Sequence, residues 1–71
     1  MKMTDTAMLR KEIEASGLKY SYIADKMGLT PYGLQRKVDN LSEFKASEIL
    51  SLSSILNLSE RKRNEIFFAV K

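Results

Sequence analysis

The sequence predicts an all-α fold of five helices in one domain. Three observations carry that expectation. Apolar residues recur at helical spacing along the whole chain, while no segment alternates apolar and polar as a half-buried strand does. Short polar or glycine-containing breaks separate the apolar runs. A chain of 71 residues is also the length of one domain.

The first helix is expected over residues 5–16, capped by Thr4 or Asp5 and closed by Gly17 in a left-handed conformation. Leu9 and Ile13 lie four apart and share a face, with Met8 beside them. The second helix spans residues 20–27. Tyr20, Ile23, Ala24 and Met27 stand at i, i+3, i+4 and i+7, and Gly28 ends the run. The third has the clearest start, Thr30-Pro31: the threonine accepts from an otherwise unpaired amide, and proline fits the first helical position. It runs over residues 31–39, with Leu34 and Val38 as its buried pair. A loop follows over residues 40–45. The fourth helix covers residues 46–56 and turns Ile49, Leu50, Leu52 and Leu56 inward in part. Ser59 caps the fifth, expected over residues 60–70, in which Ile66 and Val70 share a face with Phe67 and Ala69 at its edges.

Composition narrows the function classes. The chain is 44% hydrophobic and 30% charged, which suits a folded domain and not a disordered one. With no Cys and no His, it lacks disulfides, thiolate ligands, the commonest general base and the commonest metal ligand. There is no glycine-rich phosphate loop and no paired carboxylate in a plausible pocket, so no catalysis, metal or cofactor is expected. No long apolar run suggests a leader or a membrane span, and the expected compartment is the cytoplasm. A net charge of +3 and a pI near 9.3 fit an anionic partner such as nucleic acid.

The informative stretch is residues 20–38. Only Gly28-Leu29-Thr30 separates two short helices, which forces them to cross steeply and approach closely. Ala24 permits that approach, Gly28 makes the turn, Leu29 plugs the corner and Leu34 anchors the second helix. The pattern Ile23-Ala24-x-x-x-Gly28-Leu29-Thr30-x-x-x-Leu34 resembles the helix-turn-helix signature of the phage repressor and Cro family, also called the XRE family. The resemblance extends over nearly the whole chain. It implies a five-helix, lambda-repressor-like DNA-binding domain and a transcriptional regulator, of phage or prophage setting, that acts on duplex DNA. One position departs from the family pattern: its next apolar residue would fall at Lys37, whereas here it is Val38.

With Leu34 and Val38 inward, Tyr32 and Arg36 point away from the core and Gln35 flanks them. The third helix is then a candidate to enter the major groove. Arg36 suits guanine, Gln35 suits adenine, and Pro31 and Tyr32 suit a thymine methyl. Gly33 would leave room for close approach to DNA. Candidate phosphate contacts are Lys19, Ser21 and Tyr22 at the start of the second helix, then Lys37, Asn40, Ser42 and Lys45 at the end of the third helix and in the loop. Asp39 and Glu43 lie near this face and would repel phosphate, while Arg10, Lys11 and the run Arg61-Lys62-Arg63 read as solvent-facing.

A single reading helix gains site length by pairing, so a homodimer on a near-palindromic operator is expected, formed in advance or only on DNA. Continued as a helix, the fifth segment would aim Phe68 about 200° from Ile66, away from the core stripe, and make it a candidate dimer contact; the rival reading folds it back onto the first or fourth helix of its own chain. The competing function is a protein-interaction module on the same fold, such as an antitoxin or anti-repressor subunit. A polar, cationic outer face on the third helix favours DNA, and a large apolar patch there would favour a protein.

Overall fold

The structure, a computed structural model, describes residues 2–70. Five helices stand in chain order, α1 (Thr6–Ser16), α2 (Tyr20–Met27), α3 (Pro31–Val38), α4 (Ala46–Ile55) and α5 (Glu60–Phe67). The predicted caps are realised. The Asp5 side chain accepts from the Met8 amide, Thr30 from Gly33 and Ser59 from Lys62. Each satisfies one of the amides that a helix start leaves unpaired.

Three helices end alike. Gly28, Asn40 and Asn57 follow or close α2, α3 and α4 with positive φ of 73°, 63° and 55°. After each comes a leucine whose amide reaches back five residues: Leu29 to the Ala24 carbonyl, Leu41 to Arg36 and Leu58 to Ser53, each at 2.8 Å. This is the Schellman closure, in which a left-handed residue lets the chain satisfy carbonyls at the helix end. Asparagine serves at two of the three sites because its short polar side chain tolerates that conformation better than other non-glycine residues do.

All five helices contribute to one core. Leu9, Ile13, Ile23, Ala24, Leu34, Val38, Leu52 and Ile66 are buried, together with Ile49 and Phe67. The α1, α2 and α3 faces agree with the sequence expectation. In α4 the face differs, because Leu50 is 59% exposed and Ser53 takes the inward position. The segment from Ile49 to Leu56 is apolar or small nearly all round, so its periodicity does not decide which side packs.

The chain end differs most. Two short strands, β1 (Lys2–Met3) and β2 (Ala69–Val70), pair antiparallel where none was expected, with Lys2 opposite Val70 and Met3 opposite Ala69. The fifth helix therefore stops at Phe67, and Phe68 closes it with φ −123° and ψ 28°. Val70 shares no helical face with Ile66. Phe67, expected at an edge, is core and meets Phe44 edge-to-face at 5.3 Å between ring centroids. The strand pairing is accompanied by a bond from the Asp5 amide to the Ile66 carbonyl at 2.7 Å.

Candidate nucleic-acid interface

The site is built on α3, whose rotation is fixed by Leu34 and Val38, both without solvent exposure. That leaves Pro31, Tyr32 and Gln35 exposed on the outside, with Tyr32 at 68%. Arg36 is half-buried. Its guanidinium lies 6.0 Å from the Tyr32 ring centroid, and Nη2 donates to the Leu41 carbonyl at 3.3 Å. Arg36 is thus laid along the surface toward the α3–α4 loop.

Gly33 has a structural reason in addition to any ligand. A Cβ built there would stand 3.1 Å from Thr30 Oγ1, the hydroxyl that caps α3. The glycine makes room for its own cap, so the sequence-based link to close DNA approach is not needed to explain it.

The phosphate candidates divide in two. Lys19, Ser21 and Tyr22 are exposed around the start of α2, where no side chain caps the first amides. Those amides and the helix dipole face outward, which is the setting that favours an anion. Lys26, which the sequence reading passed over, places its ammonium 5.6 Å from the Tyr22 ring centroid and adds a cation there. The i, i+4 spacing of Tyr22 and Lys26 was the available signal. Lys45 is exposed at the N-cap of α4, and Ser42 is half-buried in the loop.

Lys37 and Asn40 differ from these, because each side chain is already engaged within the chain. Lys37 Nζ donates to Glu48 Oε1 and to the Glu43 carbonyl, each at 2.9 Å, and the two side chains of the pair are only 14% and 12% exposed. The ammonium ties α3 to α4, which explains how a lysine occupies a half-buried position of α3. The Glu48 carboxyl also accepts from the Lys45 amide at 2.8 Å. Burial pushes its pKa up, but the hydrogen bonds from Lys37 and Lys45 and their two charges outweigh burial and hold it below the ordinary carboxylate value.

Asn40 holds the chain start against the end of α3. Its Nδ2 donates to the Thr4 carbonyl at 2.7 Å and to Thr6 Oγ1 at 3.2 Å, and its Oδ1 accepts from the Thr4 amide at 3.1 Å. Thr6 Oγ1 donates in turn to the Val38 carbonyl at 2.8 Å. Arg10 pairs with Asp39 across the same junction, so the carboxylate nearest α3 is already matched by a cation. Glu12 lies 3.7 Å from Lys62.

Among the described residues, no helix is long and apolar enough to cross a membrane, and no cluster of three acidic, His or Cys side chains is placed to hold a metal ion. In comparison with known proteins, no family model, no curated protein and no solved structure matches this chain.

Proposed function

We propose that this chain is a helix-turn-helix domain of the phage repressor and Cro kind, which binds duplex DNA sequence-specifically as a cytoplasmic transcriptional regulator. The observation that carries the reading is the outer face of α3. A short helix is locked by Leu34 and Val38, joined to α2 through three residues, and displays Tyr32 and Gln35 outward, with the half-buried Arg36 laid along the surface beside them. A helix of that size fits the major groove, and amide and guanidinium side chains match the donors and acceptors of adenine and guanine edges.

The surroundings support the same docking. The uncapped start of α2, with Lys19, Ser21, Tyr22 and Lys26, offers one backbone contact, and Ser42 with Lys45 offers a second beyond α3. The domain would act as a homodimer on a near-palindromic site, with two copies of α3 about one helical turn, roughly 34 Å, apart. A protein partner is the competing reading. The only large apolar group on the exposed face of α3 is the Tyr32 ring, and polar donors flank it, which favours nucleic acid.

Selection of bound duplexes from a random pool tests the proposal, followed by titration of the selected site at several salt concentrations. Enrichment of a near-palindromic sequence, bound more weakly as salt rises, is the expected result. No enriched sequence, or binding indifferent to salt, would overturn it.

A further inference from the structure

A cleft of about 680 Å³ opens between α4, α5 and the α3–α4 loop, on residues that the proposed DNA docking does not use for base contact. Its walls are Phe44, Ile49, Leu50, Phe67 and Phe68, and Arg63 lines it as well. The size falls in the range of small-molecule sites, which are mostly apolar with a few polar groups to orient the ligand. Leu50 supplies an apolar wall that lies open to water.

Arg63 decides the ligand's chemistry. Its Nε is out of water and has no hydrogen-bond partner among the described residues. The carboxylate it pairs with, Glu60, stands 3.9 Å away on an exposed side chain. That Nε is closed even to water, so a ligand would meet the rest of the Arg63 side chain, which is 27% exposed and offers a carboxylate matching charge and further donors. Glu43 also borders the cleft, but it is exposed and solvated.

We propose that this cleft binds a small amphipathic monoanion, a carboxylate with an apolar body, with the carboxylate on Arg63 and the body against the Phe44, Leu50 and Phe67 walls. The proposal does not rest on DNA binding, although Ser42, a proposed backbone contact, also borders the cleft. Calorimetric titration of the whole chain with octanoate and with neutral 1-octanol tests it. Octanoate should bind saturably at one site, about tenfold tighter than octanol. Arg63→Gln should remove that preference by weakening octanoate about tenfold while leaving octanol unchanged, and Leu50→Ser should weaken both. Amide NMR shifts of the unaltered protein on adding octanoate should cluster at residues 44, 50, 63 and 67, a readout that needs no variant. Absence of saturable octanoate binding, or shifts scattered elsewhere, would overturn the site. So would an unchanged preference in Arg63→Gln. A wild-type dimer in sedimentation that Leu50→Ser returns to monomer would show that a second copy fills the cleft, and would overturn it too.

Discussion

Replacing Glu48 by glutamine should lower stability by about 1–3 kcal/mol at neutral pH. The size follows from where the Lys37–Glu48 pair sits. Removing one partner of a fully buried ion pair costs about 3–5 kcal/mol, because the other charge is left desolvated. An exposed pair contributes at most about 1 kcal/mol. This pair is mostly but not fully buried, and Lys37 keeps the Glu43 carbonyl after the change. The glutamine oxygen can still accept from the Lys45 amide, so the α4 start is retained. In a domain of this size each 1 kcal/mol moves Tm by about 4–8 °C, so a fall of roughly 4–24 °C is expected.

The pH dependence gives a second, sharper test of the same pair. The Glu48 pKa is lowered in the folded chain, so between the folded value and the ordinary value of about 4.3 the unfolded chain binds the extra proton. The stabilisation is therefore complete above about pH 5 and is lost as pH falls through the lowered folded value. Urea unfolding followed by circular dichroism, at pH 7 and at steps down to pH 3, measures both effects. Equal midpoints for wild type and Glu48→Gln at pH 7 would refute the argument. A difference that persists undiminished to pH 3 would refute the electrostatic part of it.

Other perturbations separate structural from DNA-facing roles. Asn40→Ala should cost about 2–3 kcal/mol, from lost hydrogen bonds to Thr4 and Thr6 and from positive φ, while Asn40→Gly should recover about 1 kcal/mol of that in the same urea assay. Arg36→Ala should weaken binding to the selected duplex by about 1–3 kcal/mol and relax preference at one base pair, measured by anisotropy across a site library. Lys45→Ala should reduce the slope of log affinity against log salt by about one unit. Lys37→Gln should leave that slope unchanged while lowering the urea midpoint, because its ammonium is committed to Glu48.

The helix starts were legible because capping is local. Asp5, Thr30-Pro31 and Ser59 each lie within a few residues of the amide they satisfy, so the sequence alone contains the interaction. The rotation of α3 was legible for a similar reason. Leu34 and Val38 are its only aliphatic residues four apart, and fixing them inward places Tyr32 and Gln35 outside. The resting posture of Arg36 was not, since it depends on the left-handed turn at Asn40 that brings the Leu41 carbonyl within reach.

What stayed hidden depends on pairings between distant segments. The β1–β2 pair joins residues more than sixty positions apart, and two residues per strand show no alternation to read. Lys37 looked like a surface cation until α4 brought Glu48 beside it. One missed feature was nevertheless local. Gly28-Leu29, Asn40-Leu41 and Asn57-Leu58 repeat one motif, a left-handed residue and then a leucine, at three helix ends. Read that way, Asn40 is a terminator like Gly28, and its side chain is free to bind the chain start only because the backbone there has already turned. Asparagine supplies both functions at that point, the positive φ and the three hydrogen bonds to Thr4 and Thr6. Glycine would keep the first and lose the second, which is why two substitutions at this single position can apportion the junction's stability between backbone and side chain.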